Sequence, residues 1–492
     1  MKFEINLGDK VELRNEEIVQ NFYFRNQRIH KIPGSVRYNN TALPTSVRWT
    51  ERYYGKRADG TFVKYAFCYA NGNVYMGNDV AGTFSTVKEG LYIDAMPESV
   101  VVQVAGNSRM YLFDGYNTPF YYEGDSLGTF YPSAITYKFA QGVVKDTRLW
   151  AFERNSSTLY FSRPLYPEDF SATYGGSLIV GNEKDSFIYR ILLIGNDIFV
   201  FKNDSIWVVR GNTKSTYSCE YVIPNMGVCG QRAVGLIGSS IIFVCEQDKE
   251  IYEFTGTPTP RQLSIWLKFA KRLDNYHASD IVCGWDMKNK LCRISFNYID
   301  SADIGNNHEI IFPLDEFNSN GQPKWSMTKG ARISCYSNWN RQNDNEFVTG
   351  RSDLGYLMYH NRGFNWDDAS IECILRTDDI SPFPGSNCHF NSLFIRGERS
   401  NGTVTIRTYL NTRHTGSASQ DITDVGEQQT LGAISLSTQY NFNNYIPFLT
   451  GYDIGESMAF EVYDNTAQKS IVLEDLIIDY TRRDRVLNDL IG

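Results

Sequence analysis

The sequence has few histidines, no closely spaced cysteine pair and no long apolar run, and each lack removes a class of function. The six histidines (His30, His277, His308, His360, His389 and His414) are far apart, with no H-E-x-x-H or other paired spacing, so zinc ligation has no framework. Nine cysteines (68, 219, 229, 245, 283, 292, 335, 373 and 388) form no C-x-x-C pair and are odd in number. They read as buried free thiols of a chain made in a reducing cytoplasm. Neither a G-x-S-x-G elbow nor a G-x-x-x-x-G-K-[ST] phosphate loop is present, and no cofactor is expected. The densest apolar stretch, 191–201, is broken by Gly195, Asn196 and Asp197, short of the ~20 residues of a spanning helix. The first residues lack the basic start and apolar core of a signal peptide. Basic excess is also missing: 48 Lys and Arg against 56 Asp and Glu give −8, so the whole molecule offers a phosphate backbone no net attraction.

Helical periodicity is absent too, and what fills the chain is β pattern. Of 492 residues 42% are hydrophobic and 14% aromatic, a composition suited to pleated surfaces. Hairpins of two apolar strands around a polar turn recur at 65–76, 110–122, 149–161, 198–209, 241–254, 282–294 and 347–359. Their turns, near Gly72, Tyr116, Ser156, Asp204, Asp248, Asn289 and Asp353, are 44, 40, 48, 44, 41 and 64 residues apart. Five of the six intervals match the ~40–50 residues of a four-stranded propeller blade. Runs such as Ile198 to Phe201 are apolar at every position, which implies burial on both faces, as in stacked blades. The expected fold is all-β, a β-propeller of six or seven blades with a C-terminal β-sandwich-like module.

The boundaries read as an N-terminal extended docking or closing segment (1–46), the propeller (47–384), the sandwich module (385–485) and a short tail (486–492). Alternation at Thr403 to Arg407 and the long run from Ser470 to Ile478 carry the sandwich assignment. Segment 298–322 reads as insertion loops, and 411–430, rich in Ser, Thr, Gly, Asp and Gln, as a mobile or docking loop. The final apolar residues follow the charged cluster Arg482, Arg483, Asp484 and Arg485, and Arg482, Arg483 and Leu490 are candidates for partner docking.

A propeller glycosidase needs two carboxylates converging on the central pocket. Glu123, Asp169, Glu250 and Asp286 sit at hairpin ends or exits, but strand ends carry acids for solubility in any β protein. The loop from Asp300 to Asn307 has oxygen ligands and a glycine without the spacing of a calcium loop. Tyr116, Phe120 and Trp339 read as aromatics near turns that stack on sugars or bury at an interface.

Four segments resemble the tail-nozzle, or packaged-DNA stabilisation, family of short-tailed bacteriophages. The opening Gln20-Asn21-Phe22-Tyr23, followed by Arg28, Lys31, Pro33 and Gly34, is similar to the family's Asn-aromatic-Tyr segment and its basic Pro-Gly turn. Arg148 to Phe152, leading to Tyr160 and Ser162 and then Pro167, Glu168, Asp169 and Phe170, resembles its strand and acidic exit. Phe201 to Gly211, with Trp207 and Gly211, resembles its most recognisable blade, and 390–409 with 446–480 have the outline of its C-terminal module. The resemblance implies a non-enzymatic virion protein made in the host cytoplasm and placed in the tail. There a hexameric ring would extend the portal and adaptor channel, retain packaged double-stranded DNA and serve as its ejection conduit, with fibre or needle proteins below. The alternatives are a receptor- or glycan-binding tail module and, less well supported, a propeller glycoside hydrolase.

Overall fold

The structure is a computed structural model. It describes residues 2–6, 18–57, 59–78, 82–181, 186–265, 267–299, 305–318, 321–341, 344–377, 380–382, 386, 388–399, 402–411, 428–436, 441–447, 454–455, 457–465, 467 and 470–482. The chain folds as two compact units, one of residues 37–309 and 330–360, the other of 1–36, 310–329 and 361–492. This division differs from a cut at 46 and 384, because 310–329 and 361–384 go with the second unit.

The first unit is nearly all strand and propeller-like. Five antiparallel four-stranded meanders follow one another at 49–88, 98–132, 139–179, 188–223 and 234–262. A hairpin, Val282–Asp286 with Leu291–Phe296, and a three-stranded set, Ile333–Arg341, Asp344–Arg351 and Leu357–His360, come next. We label the leading strand of each β1 (Trp49–Lys56), β2 (Glu98–Val104), β3 (Phe139–Lys145), β4 (Ile188–Ile194), β5 (Val234–Ile237), β6 (Val282–Asp286) and β7 (Ile333–Arg341). Neighbouring leading strands pack together, β2 on β3, β3 on β4, β5 on β6 and β6 on β7, and β7 returns to β1. The two remaining junctions, first sheet to second and fourth to fifth, are made by apolar packing, so the ring closes on itself.

Strand periodicity explains the packing. Successive side chains of a strand point to opposite faces, so an apolar run with no polar alternation can serve two neighbours at once. In Arg148–Glu153, Leu149 and Ala151 join Tyr111 and Phe113 of the second sheet, whereas Trp150 and Phe152 join Ile191 and Val200 of the fourth. Ile198 and Val200 face the third sheet, and Phe199 and Phe201 face Val234 and Phe243 of the fifth. The same logic seals the ring: Phe67 and Tyr69 pack on Met110 and Leu112, while Ala66, Cys68 and Ala70 pack on Cys335, Trp339 and Val348 of the last sheet. Small residues on that second side leave room for Trp339, which is buried and not an exposed stacking aromatic.

The closing sheet takes a piece of the N-terminal segment. The Tyr38 N–H donates to Leu357 O, Leu43 bridges Gly355, and the fully buried Asn39 accepts from the Leu357 N–H at 2.8 Å while donating to Gly355 O at 2.9 Å. Six of the seven hairpins read from sequence are the second and third strands of their sheets, whereas 282–294 is a first and second pair. Segment 298–322 is not only loop: His308–Pro313 is a strand with every residue buried.

The second unit is two sheets. One orders Phe22–Arg25, Arg28–Lys31, Ile471–Arg482, Cys388–Arg399 and Asn441–Pro447. The other orders Ser326–Lys329, Ile18–Gln20, Cys373–Arg376, Ser457–Asp464, Gly402–Asn411 and Gln428–Leu436. The alternating segment around Thr405 and the long run ending at Ile478 are thus strands of different sheets. Residues 428–430 of the expected loop lie in a strand; 412–427, Arg483, Leu490 and the tail fall outside the described residues. Lys31, on the first sheet, meets Asp464, on the second, at 2.8 Å, and both side chains are fully buried.

Removing one partner of such a pair strands a charge in the interior, at a cost of about 3–5 kcal/mol. Lys31→Met is expected to lower the unfolding free energy of this unit, measured by urea denaturation, by that amount. Lys31→Met with Asp464→Leu should recover most of it, and a double variant no more stable than the single would refute the pairing.

Candidate functional site

The residues that carry the family resemblance are structural fasteners, gathered in three separate places. Asn21 takes a left-handed conformation (φ 59°), which an asparagine tolerates better than most residues. It ties three chain segments: its N–H donates to Met327 O, its Oδ1 accepts from the Lys329 N–H, and its Nδ2 donates to Glu372 O at 2.7 Å. Tyr23 stacks on His30, Arg28 pairs with Glu474 at 2.8 Å, and Lys31 holds Asp464. Pro33 leads into Gly34, which lies so close to Asn365 that a Cβ would stand 2.0 Å from its carbonyl oxygen.

The second group fastens the second sheet to the third. Glu168 accepts from the Tyr111 hydroxyl and the Ala134 N–H, both at 2.8 Å, with Arg109 at 3.4 Å. Ser162, fully buried, accepts from the Leu149 N–H, Tyr160 packs on Tyr137, and Pro167 is buried. In the third group, Trp207 stacks on Tyr221, and Gly211 (φ 101°) sits where a Cβ would meet Thr216 O at 2.3 Å. Arg482 ends the last described strand.

The groups that do converge lie at the axis of the ring, and the sequence reading did not single them out. Arg232, in the turn before β5, is almost fully buried and spans the axis. Its Nη2 donates to Pro97 O at 2.8 Å, its Nη1 to Arg48 O, and its Nε to Glu98 Oε1 at 3.3 Å. Arg190, on β4, donates to the same Glu98 oxygen at 2.8 Å and to Gln231 O at 3.4 Å. One carboxylate on β2 is thereby shared by two guanidiniums from distant sheets. Between β3 and β4, Gln141 imitates a sheet pair, donating to Ile191 O and accepting from the Ile191 N–H.

This brace borders a half-open cavity of about 360 Å³ lined by leading strands of the ring. Glu51 on β1 and Glu98 on β2 both line it, together with Trp49, Trp285, Tyr336 and Ser337. Glu51 Oε1 accepts from the Arg52 N–H at 3.0 Å, and no cation pairs with it among the described residues. Burial pushes the Glu51 carboxyl up from 4.5 to about 7, against the Arg52 hydrogen bond and with help from the negative charge of Glu98. Burial acts upward on Glu98 as well, but the charges and hydrogen bonds of Arg190 and Arg232 outweigh it and hold Glu98 below the usual range. Of these two neighbouring carboxyls, Glu51 therefore keeps its proton to a higher pH than Glu98 does.

The acids singled out from sequence do not converge. Glu123 pairs with Arg109, Asp169 accepts from the Ser171 N–H on the surface, and Glu250 accepts from the Phe269 and Ala270 N–H groups. Asp286 is fully buried beside Arg293. Tyr116 stacks on Tyr92 under Arg154, and Phe120 lies beneath Lys88. Gly305, Asn306 and Asn307 are the described end of the oxygen-rich loop, and no metal-binding cluster occurs among the described residues.

Two outcomes test this geometry. Arg232→Met leaves Glu98 short of a partner and the Pro97 carbonyl without its donor, so denaturant unfolding should show a loss of about 3–5 kcal/mol. A loss below 1 kcal/mol would mean that the brace is ornamental. For Glu51, a folded pKa above the unfolded one gives stability that is present below pH 4.5 and lost as pH rises through about 7. Glu51→Gln should accordingly gain on the natural protein between pH 5 and 8.5, by on the order of 2 kcal/mol. A difference that does not vary with pH would contradict the placement of Glu51.

No protein-family model and no curated protein matches the sequence. Solved structures do. The extracellular domain assigned to a one-component system of Bacteroides thetaiotaomicron aligns at 10% identity and a TM-score of 0.42, covering 73% of this chain and 43% of that one. PorZ, a surface component of the type-IX secretion system of Porphyromonas gingivalis, aligns at 10% identity and 0.36, covering 76% and 44%. An ancestral GH74 enzyme aligns at 9% identity and 0.42, covering 71% and 51%. The chain thus spans about half or less of the length of these structures, and none of them is a phage tail nozzle.

Proposed function

We propose that the chain is an architectural ring component of a short-tailed phage virion, a tail nozzle that continues the portal and adaptor channel. The observation that carries this reading is where the resembling residues sit. Asn21, Lys31 and Gly34 each fasten distant parts of the chain into one unit, and Glu168 fastens two blades, which is what a load-bearing part needs. The braced axis suits the same role, since a disc tied through Arg232 resists shear better than an open funnel.

In this reading the propeller has seven blades, one led by each of β1 to β7. The second unit is the sandwich module, and six copies surround the lumen. Packaged double-stranded DNA passes without sequence-specific contacts, which a net charge of −8 favours, because a basic lumen would grip phosphates through counterion release. Fibre or needle proteins dock at the distal end.

Negative-stain microscopy of the purified chain, alone and mixed with a portal–adaptor complex, tests the proposal. Six-fold rings, or six-fold density capping the portal, are the expected result. Monomers in both samples at micromolar concentration would overturn it.

A further inference from the structure

The axial cavity is more elaborate than a structural void requires. A brace needs Glu98, Arg190 and Arg232, but it does not need a second carboxyl without a cation, or aromatic walls. A half-buried carboxyl held by one backbone N–H and no cation is costly to keep beside a cavity wall, and a brace has no use for it. Glu51 and Glu98 each keep one oxygen, Oε2, with no protein hydrogen bond among the described residues, and both residues line the cavity. The indole N–H of Trp285 has no protein partner there either. The Tyr336 ring is fixed at both ends: its hydroxyl donates to Glu309 at 2.6 Å, and its inner edge lies against Gly284, where a Cβ would come within 2.4 Å of the ring.

The charges narrow the ligand class. The guanidinium N–H groups of Arg232 are directed at Glu98 and at the backbone carbonyls of Arg48 and Pro97, whereas Arg190 uses Nη1 alone, on Glu98 and Gln231 O, and its Nε and Nη2 have no protein acceptor among the described residues. Glu98 faces both cations, so with Glu51 protonated the group carries one net positive charge. What is left to meet a ligand is a carboxyl donor, a carboxylate acceptor, the free N–H groups of Arg190, an indole N–H, the hydroxyls of Ser99 and Ser337, and aromatic faces. That set of donors and acceptors beside flat apolar faces matches a polyhydroxylated ring. At about 360 Å³ the cavity also lies within the ~300–1,000 Å³ typical of small-molecule sites.

We propose that this cavity is a saccharide-binding site for a mono- or disaccharide, with Glu51 donating to and Glu98 accepting from sugar hydroxyls, and Trp285 packing against the ring. The site goes beyond the architectural reading and holds whether or not the chain assembles into rings.

Proton occupancy gives the test its signature. The charged groups facing Glu51 are Glu98, Arg190 and Arg232; Cys283 and Cys335 also line the cavity, and burial keeps both thiols protonated at neutral pH. Only Glu51 changes charge near neutrality, so binding that uses its proton weakens as pH rises through about 7. The experiment is isothermal titration of the full chain with glucose, galactose, N-acetylglucosamine, maltose and cellobiose at pH 5.5 and 8.5. At least one sugar is expected to bind at pH 5.5 with a Kd of about 1 mM or tighter, and roughly tenfold more weakly at pH 8.5. Glu51→Gln, whose amide still donates, should bind equally at both pH values, and Trp285→Ala should weaken binding about tenfold. Circular dichroism confirms that each variant is folded. No heat from any sugar at about 20 mM and pH 5.5 would overturn the proposal, as would binding unaffected by Trp285→Ala or an unchanged pH response in Glu51→Gln. Failure to form rings would leave these readouts intact.

Discussion

The closed ring rests on one shared carboxylate. Glu98 is the only acid on β2, and it holds Arg190 from β4 and Arg232 from the turn before β5 within hydrogen-bonding distance. A buried ion triad is not automatically stabilising, because taking three charges out of water costs several kcal/mol each. Here the other N–H groups of Arg232 reach the backbone carbonyls of Arg48 and Pro97, just before the leading strands β1 and β2, so that guanidinium satisfies acceptors that water would otherwise have to enter the ring to reach. The apolar seams between sheets supply most of the burial, but each acts only between neighbours. The brace acts across the ring.

The second unit solves a different problem with the same chemistry. Its strands come from three separated stretches of chain, so local sequence cannot hold it together. Asn21 and Lys31 act where those stretches meet, one through backbone partners on Met327, Lys329 and Glu372, the other through Asp464. A charged pair at that position trades some stability for register: a slip by one residue would turn Lys31 to the other face and leave Asp464 unpaired.

Much of the fold was legible because its packing rule is local. A strand with apolar residues at every position, such as Ile198 to Phe201, announces two buried faces, and the even spacing of such strands announces repetition. The phase of the sixth hairpin was not legible, since a first and second strand look the same in sequence as a second and third. Strand His308–Pro313 was hidden by the polar residues leading into it, several of which are buried through hydrogen bonds, as Asn306 is to Asp280 O. The axial acids were missed for a related reason. Glu51 stands in Trp49-Thr-Glu-Arg-Tyr53 and Glu98 in Pro97-Glu-Ser99, segments whose alternation reads as a solvated strand, whereas Glu123, Asp169, Glu250 and Asp286 stand at hairpin ends or exits. The available signal was positional: both lie in the leading strand of a repeat, the strand that faces the axis in any radial stack.

Rigidity and a ligand site are compatible demands on such a ring. A cavity bordered by a brace gains preorganisation from it, since Glu98 is oriented by two guanidiniums before anything binds and Tyr336 is locked by Glu309 and Gly284. Burial is the main cause that raises the Glu51 carboxyl, and the charge of Glu98 adds to it. Were Glu98 neutral, Glu51 would feel less repulsion and would ionise at lower pH. The negative charge on Glu98 is itself fixed by Arg190 and Arg232, so a change in either arginine reaches both the brace and the cavity beside it through a single carboxylate.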